Sequence, residues 1–420
     1  MKNSIYTFPS GLKMGHFENK NIRSVAIGVT FGVGSGNEIQ KNNGISHFIE
    51  HMMFKGTDTR SAMDIVSELE DNGINVNAFT SKLTTCYYTI SIDEEVEKCF
   101  EVLSDILLHS TFSEEEMKRE KGVILEEISI SEDDPQDLCL DMLSEAYFGD
   151  HPLGRPILGS RENVSNFTRD EVLNYFRTNY VANNCCIAVT GNISFEVAKA
   201  LVEKYFEGKM PVNPSREWKD IAHETAQKYV YKYKDVEQAN LGIIFKSLPI
   251  SKHKELVVEM ISSILGGGMS SRLFQTIREK MGLAYSVYTY QTNYVNNSYF
   301  AISLSTNVDS LKSAIKATRV ELDMLIDESV TEVEFNRAKK LTKSGFIIGA
   351  ERNSAIMRSI AKSCLIRDKE FDLDAEIAVL DAITIDDVKN CIREIFNYDN
   401  MSISYVGREI DFNPLEEFLN

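Results

Sequence analysis

The sequence predicts an α+β protein built of two homologous domains, each a mostly antiparallel sheet with helices packed on one face. Three observations lead there. Runs rich in β-branched and aromatic residues alternate with stretches of helical spacing along the whole chain. The order of those runs recurs in the second half, the signature of an internal repeat. Between the two series, Pro211, Asn213, Pro214 and Ser215 break the periodicity. The expected boundaries are therefore 1–208 for the first domain, 209–226 for a linker and 227–420 for the second. A length of 420 residues also exceeds one ordinary core.

The first series opens with strands at 5–8 and 24–31, with a Ser10-Gly11 turn after the first. A helix follows over 44–56, where Ile45, Phe48, Ile49, Met52 and Met53 recur at helical spacing and Gly56 supplies a stop. Residues 62–71 form a short helix closed by Asn72-Gly73, and 74–79 and 85–92 read as strands. A helix spans about 94–109. Ser113 then caps another, with Glu116 completing a capping box. The second series repeats the plan: a strand at 240–245, a helix at 255–265, strands at 285–290 and 299–304, and a helix at 311–326. Thr331 caps the next helix, with Glu334 at the box position. Each series ends in a strand that runs into glycine, at 187–191 and 403–407.

Composition narrows the function classes. Sixty-three acidic against 45 basic residues give a net charge of −18, which argues against a nucleic-acid groove and suits basic peptides. The N-terminal residues lack an apolar signal core, and no apolar run approaches a membrane span, so a cytoplasmic protein without membrane partners is expected. The seven cysteines are scattered without a C-x-x-C pair and read as reduced packing thiols, Cys185-Cys186 among them in an apolar strand. Gly266-Gly267-Gly268 is not a phosphate loop, since no Gly-Lys-Ser/Thr follows; it reads as the end of the preceding helix.

The chemistry concentrates on 44–56. His47 and His51 lie four residues apart, on one face of the helix, and two imidazoles so placed can bind one metal ion, most often zinc in hydrolases. Glu50, between them, can reach a water on that metal without being a ligand. The order His-x-x-Glu-His inverts the commoner zinc-peptidase motif. Glu120 and Glu127 are two helical turns apart and share a face of a second helix, and a glutamate there, beside Val123, Ile124 and Ile128, is a candidate third ligand. The second half has no such motif: counting from the capping boxes places Gly345 where Glu127 stands in the first.

These stretches together resemble the pitrilysin (inverzincin) family of zinc peptidases, in the branch that includes the mitochondrial processing peptidase and short bacterial relatives. The similarity runs over nearly the whole chain. It rests on His47-x-x-Glu50-His51, on 122–128 around Glu127, on Asn77-Ala78-Phe79-Thr80, on 151–159 (HPLGRPILG), and on 266–274 and 278–286 in the second half. The resemblance implies one Zn2+ per chain, held by His47, His51 and Glu127, with Glu120 as a support behind the ligands. It implies Glu50 as the base acting on the metal-bound water, and Asn77, Ala78 and Phe79 as an edge strand that pairs with substrate. Arg278 and Tyr285 would complete the site from the domain without metal. The implied activity is that of a metalloendopeptidase on peptides or unfolded polypeptide segments, in a homodimer. The alternatives are a non-catalytic structural or processing subunit, whose hallmark is loss of Glu50 or a ligand, and one half of a heterodimeric peptidase. Neither Glu50 nor a ligand is lost, and one chain carries both the zinc motif and the Arg/Tyr pair.

Overall fold

The computed structural model describes residues 3–214, 228–248, 251–294 and 296–420. Eleven strands form two sheets among these residues. The first sheet holds β1 (Ser4–Thr7), β2 (Lys13–Glu18), β3 (Ser24–Phe31), β4 (Asn75–Thr80), β5 (Thr85–Ile92) and β6 (Cys185–Gly191), in the order β1-β2-β6-β3-β5-β4. The second holds β7 (Lys228–Tyr233), β8 (Gln238–Lys246), β9 (Ala284–Thr292), β10 (Tyr299–Asn307) and β11 (Met401–Gly407), in the order β7-β11-β8-β10-β9. Laid side by side, the orders match from β2/β7 to β4/β9. Each sheet also has its one parallel pair in the same place, β2 with β6 and β7 with β11. The repeat read from the sequence is thus a repeat of topology.

The helices are α1 (Ile45–Met52), α2 (Ala62–Asp71), α3 (Val96–His109), α4 (Glu114–Asp133), α5 (Pro135–Phe148), α6 (Arg161–Asn166), α7 (Arg169–Asn179), α8 (Phe195–Tyr205), α9 (Lys252–Leu265), α10 (Val308–Asp327), α11 (Glu332–Gly349), α12 (Asn353–Lys362), α13 (Leu373–Ala382), α14 (Ile385–Ile395) and α15 (Pro414–Leu419). None of them is long and apolar enough to cross a membrane. The expected strands at 24–31 and 85–92 and the helix at 62–71 have the bounds read from the sequence. Gly266 ends α9, as expected. Two differences bear on the candidate site residues. α1 stops at Met52, and Gly56, at φ +111°, instead turns the chain towards Thr57. Residues Phe274–Lys280 form a π-helix, a wider winding that simple helical spacing does not announce.

The compact units are not the two halves of the chain. One comprises Met1–Ile128, Arg155–Lys219 and Ile347–Asp374; the other comprises Ser129–Gly154, Asp220–Phe346 and Ala375–Asn420. They therefore differ from the contiguous domains 1–208 and 227–420, because each takes a helix from the opposite half of the sequence. Of the expected linker 209–226, residues 215–226 lie outside the described residues.

Period-2 alternation explains how the first unit accepts its helix. On β3, Val25, Ile27, Val29 and Phe31 point into the main core with Ile45, Phe48, Ile49 and Met52 of α1. The residues between them face the other side, where Ala26, Cys86 and Ala188 pack with Ile356, Met357 and Ile360 of α12. Under α12 that face is lined by small residues, with Phe17, Phe79, Tyr88 and Ile90 also packed against the cluster. A Cβ at Gly15 would overlap Ile360 Cγ2, and one at Gly28 would overlap Met357 Sδ. α12 is also pinned by polar bonds: Asn353 Nδ2 donates to the Ser24 carbonyl at 3.0 Å, and Thr190 Oγ1 donates to the Asn353 carbonyl at 3.0 Å. The second unit uses the same device with α5. A Cβ at Gly242 would come within 2.8 Å of Leu143, and Ser404 Oγ donates to the Cys139 carbonyl at 2.8 Å. Each sheet thus carries one helix on the face opposite its main helical layer.

Gly28→Ala should therefore destabilise the protein by about 1–3 kcal/mol, the usual range for an overpacked core. Met357→Ala in the same chain should restore part of the loss. Urea unfolding of both single variants and the double variant checks this; fully additive losses would contradict the packing described.

Candidate metal centre

Helix α1 carries the key side chains, and its N-terminus is held by an unusual partner. Gly44, the residue before the helix, has φ +101°, a conformation that favours glycine. The buried Glu38 carboxylate accepts from Gly44 N at 2.7 Å, Ser46 N at 2.8 Å and Asn43 Nδ2 at 2.9 Å. A carboxylate there satisfies free N–H groups and complements the positive end of the helix dipole. Burial pushes the Glu38 carboxyl up, while these donors hold it down. The stretch from Arg155 to Gly159 packs on the same point. Arg155 Nη1 donates to the Glu38 carbonyl at 3.0 Å, and Asn43 Nδ2 donates to the Pro156 carbonyl at 3.0 Å. A Cβ at Gly44 would lie only 2.8 Å from Gly159 Cα.

One turn on, the His47 and His51 rings meet edge to face, with centroids 4.6 Å apart and planes at 66°. Glu127 Oε2, from α4, lies 3.4 Å from His51 Nε2 and 3.8 Å from His47 Nε2. Ligand atoms of the three residues all fall within 4.8 Å of one another, and this is the single such group among the described residues. A tetrahedral zinc ion with bonds near 2.0–2.1 Å sets its nitrogen and oxygen ligands about 3.3 Å apart, so the donor set fits zinc. The protonation also fits. Burial, helped by neighbouring His51, pushes the His47 pKa down to about 4, which keeps the imidazole neutral as a ligand must be.

The two histidines are supported differently. His51 Nδ1 lies 3.1 Å from Glu120 Oε2, and Glu120 is buried, with Lys55 Nζ 2.7 Å from its other oxygen. His47 Nδ1 is buried with no hydrogen-bond partner. Glu120 therefore stands behind His51 alone. On the same helix, Glu126 is exposed while Glu127 is partly covered, as the 100° step between them requires.

Glu50 points from α1 towards β4, the edge strand of the first sheet. Its Oε2 accepts from Thr80 Oγ1 at 2.5 Å. Burial pushes the Glu50 carboxyl above its ordinary range, Thr80 and His51 oppose this, and like-charged Glu127 adds to it. Along β4, Val76 and Ala78 pack on the main core, whereas Phe79 packs on the face that holds α12. Asn77 is exposed, and its Oδ1 accepts from Ala78 N at 2.7 Å. The three expected substrate-strand residues thus lie on an edge with alternating side chains.

The structure brings His47, His51, Glu127, Glu50 and Glu120 together in the first unit. Arg278 and Tyr285 belong to the second. Arg278 sits on the π-helix with its guanidinium 4.7 Å from the Phe274 ring centroid, and Tyr285 begins β9 with 72% of its surface exposed. Sequence reasoning misses Glu38, Lys55 and Arg155, and does not single out the Thr80 side chain. Lys55 has a local signal, being four residues after His51; Thr80 follows Ala78 at strand period. Arg155 lies within the 151–159 stretch that the resemblance marks, but nothing there gives it a role, and Glu38 has no signal, because its partners come from chain reversal.

Residues 16–161 match the family model described as insulinase (peptidase family M16), and residues 166–342 match that of the peptidase M16 inactive domain. Over 394 residues, 94% of this chain and 96% of the other, the sequence is 38% identical to an uncharacterized zinc protease of Bacillus subtilis. The chain belongs to the insulinase (peptidase M16) family. This is the family that the motifs resemble, in its short bacterial form. A second M16 relative, an uncharacterized zinc protease of Streptomyces coelicolor, is 32% identical over 96% of this chain and 88% of its own. The fold recurs in a protease from Helicobacter pylori, with TM-score 0.88, 20% identity and coverage of 97% and 99% of the two chains. It recurs also in a peptidase M16 inactive domain from Pseudomonas fluorescens, with TM-score 0.90, 19% identity and 98% of each chain covered.

Zinc titration should separate the glutamates. Glu127→Ala should weaken binding most, Glu120→Ala by about 10–100-fold, as for groups that orient a ligand, and Glu126→Ala hardly at all. Equal effects at 126 and 127 would contradict the α4 geometry.

Proposed function

We propose that the protein is a zinc-dependent endopeptidase that hydrolyses peptides or unfolded polypeptide segments, with Glu50 as its general base. The observation that supports this most is the convergence of two imidazoles and one carboxylate within 4.8 Å, with a further carboxylate on the same helix left outside the donor set. His47, His51 and Glu127 would hold one zinc ion per chain. When bound, it would polarise the scissile carbonyl and make water more acidic.

The remaining work falls to the chain's own residues. Glu50 would accept the proton of the attacking water and pass it to the leaving amine nitrogen. The upward push that burial gives its carboxyl suits a base that must also return a proton. The open edge of β4, at Asn77, Ala78 and Phe79, would pair with an extended substrate through main-chain hydrogen bonds. Such pairing tolerates many sequences but requires an unfolded segment. Arg278 and Tyr285 are proposed as donors to substrate oxygens, the tyrosine hydroxyl to the developing oxyanion. A non-catalytic subunit would need neither the base nor the ligands, and all four residues are present.

Glu50→Gln should keep zinc and the fold while abolishing cleavage of a mixed peptide library, and a chelator should abolish cleavage by the unaltered protein. A Glu50→Gln protein that loses its zinc, or cleaves at near the original rate, would overturn the assignment. Tyr285→Phe should lower kcat by about 10²–10³. Since the side chain is exposed, melting temperature and zinc content should stay where they were; a stability loss with kcat spared would rule the role out.

A further inference from the structure

We infer that Thr80 is a positioning residue for Glu50, holding the base in its orientation from the strand that would receive the substrate. The inference rests on the peptidase reading above. Strand periodicity places Thr80 on the face shared by Val76 and Ala78, both of which pack on the core beside α1. An apolar β-branched residue would serve packing and strand propensity equally well there. The hydroxyl is what valine would lack, and it is spent on a single acceptor, Glu50 Oε2, at 2.5 Å. The Thr80 main-chain N–H faces the same carboxylate.

Glu50 needs such a holder. Its side chain has three rotatable bonds, and it lies near the last turn of an eight-residue helix, beside His51 and Glu127. Nothing in a free glutamate prevents it from swinging among those groups, and a base displaced from its proton loses rate steeply. A neutral hydroxyl donor fixes the carboxylate without neutralising it. Because the donor belongs to β4, the orientation of the base is tied to the strand whose open edge would pair with the substrate.

Thr80→Val removes the hydroxyl at nearly constant shape and leaves the N–H, and Thr80→Ser restores the hydroxyl. With a peptide that the unaltered zinc-loaded protein cleaves, Thr80→Val should lower kcat about 10–100-fold, the loss expected for one hydrogen bond to a charged group. KM and zinc affinity should change less than twofold, and Thr80→Ser should recover most of kcat. The infrared carboxylate stretch that disappears in Glu50→Gln should shift in Thr80→Val and return in Thr80→Ser, a readout that needs no turnover. If Thr80→Val keeps kcat, or loses it without recovery by serine, or leaves that band unmoved, the positioning role is overturned while the peptidase reading stands. If the zinc-loaded unaltered protein cleaves no peptide of the library, the peptidase reading fails, and this role fails with it.

Discussion

An eight-residue helix cannot sustain itself in water, since nucleation costs more than so few hydrogen bonds return. α1 therefore depends on what grips it, and the chief grip is the Glu38 carboxylate on the N–H groups of Gly44 and Ser46. Those bonds fix where the helix starts and how it is rotated. The rotation in turn decides that His47 and His51 face Glu127, and that Glu50 faces Thr80. Packing of Ile45, Phe48, Ile49 and Met52 into the core supplies the rest. An error of one residue in the start would turn every functional group by about 100°. The clamp by 155–159 belongs to the same device, because Arg155 and Asn43 join it to the loop that carries Glu38.

Much of this is legible in the order of the amino acids alone. The helix with His47 and His51, α4 with Glu120 and Glu127 on one face, the edge strand and the duplicated order all announce themselves through short-range periodicity. His47, His51 and Glu127 converge, and Glu120 lies behind His51. What stays hidden is what depends on contacts between distant segments. Glu38 reads as one acidic residue among 63. Thr80 reads as an ordinary β-branched strand residue, and its hydroxyl acquires meaning only when α1 is laid across β4. The π-helix at Phe274–Lys280 is hidden for another reason: its sequence fits a plain helix, and only the backbone shows the wider turn.

The exchange of helices between the halves also escapes a reading of periodicity, although it leaves a trace. Gly15, Ala26, Gly28 and Ala188 alternate with larger buried residues along β2, β3 and β6, and a sheet face so levelled beneath α12 is a seat for a closely approaching helix. Glycine weakens strands. Its presence there records that close approach of α12 outweighs strand propensity. The two halves thus share a topology but exchange helices, which is why the compact units depart from contiguous boundaries at residues 129–154 and 347–374.

That exchange has a bearing on how the molecule is made. A ribosome delivers the chain from the N-terminus, and most domains can close once their own residues have emerged. Here the sheet beneath α1 is finished with β6 at Gly191, but its second face stays bare until α12, ending at Lys362, has been synthesised. For the time needed to add about 170 residues, that apolar face has no native cover. The unit with the candidate metal site is then among the last parts of the protein to become complete, although His47 and His51 are among the first residues translated.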